Sequence, residues 1–185
     1  MIAETVKDAS AHMDKTLTAL AHEFATVRTG RASGAILEKV MVEYYGTPTP
    51  LQQLATVTVP EPQLLVVQPY DKTAMGAIEK AIRSADLGLN PANDGQVIRV
   101  PFPPLTEERR VELVKVCRSY AEEARVACRN IRRDANDKLK RSERDGEITQ
   151  DDLHRTETEV QKITDAHIAE IEEALKRKEA EIMEV

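Results

Sequence analysis

All nine prolines of this 185-residue chain lie between Pro48 and Pro104, and six of its seven glycines lie between Gly30 and Gly95. These are the residue types that interrupt helices. Proline lacks an amide proton and crowds the preceding turn, and glycine loses the most freedom when it is ordered. Their confinement divides the chain into three. The flanks, residues 1–30 and 105–185, can form long helices broken only at Gly146, whereas the middle, 31–104, cannot. The sequence therefore predicts an α+β protein: a discontinuous helical domain from 1–30 and 105–185, with a small α/β domain inserted over 31–104.

The flanks carry helical periodicity. Ile2, Val6, Ala9, Met13, Leu17, Leu20, Phe24 and Val27 recur at steps of three or four, predicting a helix from 2 to about 28 with Gly30 as its C-cap. Val114, Cys117, Ala121, Ala124, Cys128, Ile131 and Ala135 mark the seam of a second helix, from about Leu105 to Gly146. Thr106 caps it, with Glu107 and Glu108 in its first turn, where acidic groups suit the helix dipole. Thr149, with Asp152 three residues on, starts a third helix, whose seam is Leu153, Val160, Ile163, His167, Ile171, Leu175 and Ile182. Three apolar stripes bury one another most simply in an antiparallel three-helix bundle. At 1.5 Å per residue the helices reach roughly 40, 60 and 50 Å, an elongated rod. Aromatic residues are only 3% of the chain, which suits seams built from small and aliphatic side chains.

The middle reads as short strands and turns. Val40–Tyr44 alternates and stops at Gly46; Thr47–Pro50 is an extended edge; Thr56–Val59 and Leu64–Val67 are strands split by a turn at Pro60-Glu-Pro62. Asp71 caps a short helix over Lys72–Ala85, and Gln96–Val100 is a last strand. The insert begins and ends near Gly30, Arg31, Pro103 and Pro104, which mark the expected hinge.

The net charge of −6 argues against a generally basic nucleic-acid binder, but the charge is unevenly placed. Residues 105–146 hold twelve basic and nine acidic side chains, and residues 147–185 hold five and twelve. Within the positive helix, Arg118, Arg125, Arg129 and Arg132 fall within roughly 60° of one another at ~100° per residue. With Arg133, the span 118–133 holds five arginines and no lysine. A solvated face balanced by Glu122, Glu123, Asp134 and Asp137 is the bland reading. The exclusive use of arginine favours bidentate phosphate recognition, and a rigid stripe suits structured RNA read through shape and backbone. Arg28, Arg31, Arg109 and Arg110 add cations beside the expected hinge.

Catalytic constellations are missing. The chain has no phosphate-binding glycine loop, no H-E-x-x-H and no C-x-x-C. His12 and His22 lie out of phase on one helix, and His167, on the seam, is expected to be a satisfied core histidine. Cys117 and Cys128 sit eleven apart on one helix, roughly 16 Å, too far to pair, and are expected to be buried and reduced. With no signal peptide and no apolar run of membrane length, a soluble cytoplasmic protein without cofactor or metal is expected. A non-enzymatic coiled-coil adaptor is the alternative to RNA binding, and a small enzyme ranks third.

Arg28-Thr-Gly-Arg-Ala, Gly46-Thr-Pro and the segment Ala124-Arg-Val-Ala-Cys-Arg-Asn-Ile-Arg-Arg-Asp-Ala-Asn136 resemble the ribosome recycling factor family, as do the length, the position of the insert and the ending Lys178-Glu-Ala-Glu-Ile-Met. The resemblance implies an L-shaped, hinged, monomeric factor. It implies binding to the post-termination ribosome at the subunit interface and subunit separation with elongation factor G and GTP hydrolysis, with no enzymatic step of its own. The family contacts large-subunit ribosomal RNA through the basic helix, which points by motif to Arg129, Arg132 and Arg133, with Arg28 and Arg110 as further contacts. The insert is the side expected to meet elongation factor G. Cys128 departs from the aliphatic residue expected at its position.

Overall fold

The computed structural model describes residues 1–184. In chain order the elements are α1 (Ile2–Ala25), β1 (Met41–Tyr44), β2 (Thr47–Pro50), β3 (Ala55–Glu61), β4 (Leu64–Pro69), α2 (Met75–Ser84), β5 (Ala92–Asn93), β6 (Ile98–Pro101), α3 (Glu107–Arg144) and α4 (Gln150–Met183). The chain is α+β, as expected, with helical flanks around a central sheet. It divides into two compact units. One comprises Met1–Glu23 and Lys115–Glu179; the other comprises Phe24–Val114 and the chain from Ala180. Gly30, Arg31, Pro103 and Pro104 therefore all belong to the sheet-bearing unit.

In the helical unit most seam positions are buried, while Ile2, Val6, Leu17, Ile131, Leu153 and Ile163 are half-buried. Ala9, Met13 and Leu20 of α1, Cys117, Ala121, Ala124, Cys128, Ala135 and Leu139 of α3, and Val160, His167, Ile171 and Leu175 of α4 are all at most 9% exposed. Small residues dominate the α3 seam, which lets the helix backbones come close. Thr5, Thr156 and Thr164 are also buried. Thr156 and Thr164 satisfy their hydroxyls locally on the carbonyls of Asp152 and Val160, four residues back. Cross-helix contacts fix the directions. Arg118 meets Glu179 and Arg125 meets Glu172, so a step of seven up α3 is a step of seven down α4. The Ser142 hydroxyl donates to Met1 Sδ at 2.9 Å, placing the start of α1 beside the end of α3. Both helix pairs are antiparallel.

The turn between α3 and α4 is closed by local chemistry. Gly146, at φ +76°, takes the left-handed conformation that glycine adopts without strain. Its amide bonds to the Glu143 carbonyl at 3.0 Å, and the Glu147 amide to the Ser142 carbonyl at 2.9 Å, the paired bonds of a Schellman cap. Thr149 and Asp152 then cap α4 reciprocally. The Asp152 amide donates to Thr149 Oγ1 at 3.0 Å, and the Thr149 amide to Asp152 Oδ2 at 3.3 Å. Those Thr149 bonds, followed by the charge of Arg155, hold the Asp152 carboxyl below its usual range.

In the sheet-bearing unit, an antiparallel sheet of order β3-β4-β6-β5 stands beside a separate β1–β2 hairpin. Leu65, Val67, Ile98 and Val100 point from the sheet into a core with Ile36, Leu37, Val42, Leu51, Ile78, Ile82 and Phe102. Asp71 accepts from the Thr73 amide at 2.9 Å and starts a 3₁₀ turn, Lys72–Ala74, that runs into α2. Three local expectations change. First, α1 ends at Ala25 and not near residue 28. The β-branched pair Thr26-Val27 follows, and the Val27 amide bonds back only three residues, to Phe24 at 3.1 Å. Gly30 has no positive φ and is not the cap. Second, Pro60 lies within β3 and not in a turn, because β3 is an outer strand whose far side needs no amide donor. Third, β5, only two residues long, and the 3₁₀ turns Gly34–Leu37 and Leu51–Gln53 are additional to the predicted elements. Among the described residues no helix is long and apolar enough to cross a membrane.

Candidate nucleic-acid interface

The α3 arginines do not form a uniform cationic strip. Their neutralisation decreases along the helix. Arg118 Nε donates to Glu179 Oε1 at 2.7 Å. Arg125 is gripped from both ends, with Nε on Glu122 Oε2 at 2.9 Å and Nη1 on Glu172 Oε1 at 2.5 Å, and its side chain is only 17% exposed. Burial disfavours its charge, but the two glutamates more than compensate and its proton is held more tightly than usual.

Beyond Arg125 the pairing weakens. Arg129 Nη1 lies 3.6 Å from Glu122 Oε1, within ion-pair range but outside a good hydrogen bond. Arg132 Nη1 donates to the neutral Gln161 Oε1 at 3.3 Å. The Gln161 amide nitrogen donates in turn to Asp165 at 2.8 Å, which turns the amide oxygen towards Arg132. Arg133 is exposed and has no ion pair or hydrogen-bond partner among the described residues. The last turns of the stripe thus present guanidinium groups whose donors are largely unspent. Such groups can bind phosphate oxygens without first breaking a strong internal pair.

Glu172 and Glu179 were not singled out from the sequence, because they come from another helix. Their signal is recoverable: the seven-residue spacing of Arg118 and Arg125 reappears, reversed, in Glu172 and Glu179.

Arg28 and Arg110 lie in the sheet-bearing unit, and each is tied to one backbone carbonyl there. The Arg28 guanidinium donates to the Pro103 carbonyl and sits 5.7 Å from the centre of the Phe102 ring, within cation–π range. Burial, and then the charge of Arg109, lower its proton affinity. Arg110 Nη1 donates to the Met183 carbonyl at 3.2 Å, on the last residue of α4. The Nε atoms of both are buried without a protein partner. Arg31 pairs with Glu184 at 3.0 Å, and Gly30 lies close enough that an added Cβ would sit 3.7 Å from the Glu184 carbonyl oxygen. Pro103 contributes its carbonyl to Arg28, and Pro104 lines a groove of about 620 Å³ with Arg31, Arg110 and Glu184.

The remaining polar candidates are accounted for by packing. His167 is buried, with Nδ1 2.7 Å from the Ile163 carbonyl and Nε2 2.7 Å from Asp14 Oδ1. Cys117 and Cys128 are both free and buried. Burial pushes the Cys117 thiol up to about 11 and raises that of Cys128.

Comparison with known proteins places these features in one family. The family described as Ribosome recycling factor matches residues 20–183. The ribosome-recycling factors of Bacillus cytotoxicus and Bacillus thuringiensis are each 60% identical over 182 residues, covering 98% of this chain and 98% of their own. A solution structure of a ribosome recycling factor superposes with a TM-score of 0.81 at 45% identity, over 100% of this chain and 98% of that one. A second structure is described as the T. thermophilus ribosome recycling factor and E. coli elongation factor G bound to the E. coli post-termination complex. It matches with a TM-score of 0.70 at 50% identity, over 100% of both chains.

Proposed function

The chain belongs to the ribosome recycling factor family, and on that premise we propose that it binds the post-termination ribosome and, with elongation factor G and GTP, separates the subunits for reuse. In this reading it is a cytoplasmic, non-enzymatic part: elongation factor G supplies the hydrolysis, and this chain supplies a rigid element that grips RNA. Large-subunit ribosomal RNA at the subunit interface is the ligand of α3, and the sheet-bearing unit is the side that meets elongation factor G.

The observation that carries this reading is the gradient along α3. Arg118 and Arg125 are spent on Glu179, Glu122 and Glu172, while Arg129, Arg132 and Arg133 keep donors available at adjacent turns. These three supply the phosphate contacts. Arg28 and Arg110, each with one bond to a backbone carbonyl, are further RNA contacts in this reading.

The test is co-sedimentation with vacant ribosomes across a salt series. Arg132→Ala is expected to weaken binding about tenfold at low salt and to reduce the log–log salt slope by about one. Because Arg132 makes only one long side-chain bond, Tm should stay within about 2 °C of the parent. Subunit splitting with elongation factor G and GTP should fall in parallel. Binding that ignores salt and the Arg132 substitution would instead indicate a protein-binding helical adaptor.

A further inference from the structure

Of the three arginines at the open end of the stripe, only Arg129 faces a carboxylate among the described residues, and that carboxylate is also bound to Arg125. Glu122 stands seven residues before Arg129, two turns back and only ~20° away around the helix. Its Oε2 accepts from Arg125 Nε at 2.9 Å. Arg125 is itself immobilised, because its other end is bound to Glu172 at 2.5 Å and its side chain is 17% exposed. Glu122 remains 54% exposed, so its second oxygen, Oε1, stays at the surface of the stripe, 3.6 Å from Arg129 Nη1. The hydrogen bond from Arg125, then the charges of Arg125 and Arg129, hold the Glu122 carboxyl below its usual range, so it is ionised at neutral pH.

The geometry resembles an occupied site. A guanidinium faces an oxyanion supplied by the same helix, at a distance too long for a firm hydrogen bond and short enough for attraction. An RNA phosphate approaching Arg129 meets a carboxylate of the same charge already in place. Arg129 can turn towards the phosphate, while the hydrogen bond to Arg125 Nε holds Glu122 back beside the stripe. We propose that Glu122 is an internal competitor for Arg129: its carboxylate stands where a phosphate oxygen would sit, and it limits how tightly the stripe holds RNA. It is a tuning residue that acts through Arg129 and not an RNA contact. The inference rests on the reading of α3 as the RNA-binding face.

Glu122→Gln tests it. The amide keeps the length of the side chain and an oxygen for Arg125 Nε, but carries no charge. At low salt the variant is expected to bind vacant ribosomes about two- to fivefold more tightly, mainly through slower dissociation, with the gain shrinking as salt rises. The gain should vanish when Glu122→Gln is combined with Arg129→Ala, because nothing is then left to compete for. Equal or weaker binding by Glu122→Gln, or the same gain with Arg129 removed, overturns the proposal. Arg132→Ala, measured alongside, separates this from failure of the underlying reading. If it binds like the parent, the RNA face itself is misassigned. If it weakens binding while Glu122→Gln changes nothing, only the competitor role is lost.

Discussion

The bond between His167 and Asp14 predicts a measurable pH dependence of stability. Both ring nitrogens of His167 face groups that only accept hydrogen bonds, the Ile163 carbonyl and the Asp14 carboxylate, each at 2.7 Å. Only the doubly protonated ring satisfies both. Burial opposes that charge, but Asp14, the Ile163 carbonyl and the nearby Glu170 outweigh it, so the imidazole titrates above its ordinary value. A pKa raised by folding stabilises the fold below the unfolded value of about 6.5, and that contribution is lost as pH rises through the folded value. Sheltered charge-assisted bonds contribute about 1.5–3 kcal/mol and exposed pairs about 0.2–1 kcal/mol. Here the ring side chain is 11% exposed and the carboxylate 69%, so solvent screens the pair and about 1 kcal/mol is expected. For a chain of this size that is about 2–4 °C in Tm.

The assay is thermal unfolding of the parent and Asp14→Asn between pH 5.5 and about 9, with nitrogen-correlated NMR of the imidazole in parallel. The parent should lose about 3 °C more than the variant on going from the acid to the alkaline end, and its ring should show both N–H protons at pH 6. Identical pH profiles for the two proteins, or a single-proton ring at pH 6, would refute the reasoning.

Three further outcomes follow from the fold. Gly146→Ala forces a Cβ into the left-handed cap between α3 and α4 and should cost about 1–2 kcal/mol, seen as a Tm lower by about 2–8 °C with ribosome binding retained. Cys117 and Cys128, buried and with raised pKa values, should resist a thiol reagent in the native protein and react fully only in denaturant. Cys128→Val should leave ribosome binding unchanged and alter stability by less than about 1.5 kcal/mol.

The architecture was legible wherever one residue property had a period. The steps of three and four in the flanks gave the buried seams, and the Pro and Gly clustering gave the sheet-bearing insert. Legibility failed where burial and polarity disagree. Thr156 and Thr164 are absent from the apolar stripe of α4, yet each is buried with its hydroxyl bonded to its own helix. It failed again where a partner from another segment completes an element, as at β5, whose two residues pair with β6. The candidate site shows the same division. The arginine stripe follows from spacing on one helix. Which arginines remain available depends on α4 glutamates 47 and 61 residues away, and so on the register between two helices.

The outer strands have a consequence for handling the protein at high concentration. An exposed strand edge is a row of unpaired amides and carbonyls that another chain can extend into a fibre. Here β3 offers Pro60, which has no amide, and its register with β4 slips between Thr58 and Glu61. At the opposite edge β5 is two residues long, and β2 of the separate hairpin carries Pro48 and Pro50. No template longer than a few residues remains for strand addition at these edges. Concentrated solutions should therefore stay free of cross-β assemblies, and replacing Pro60 should be among the shortest routes to creating them.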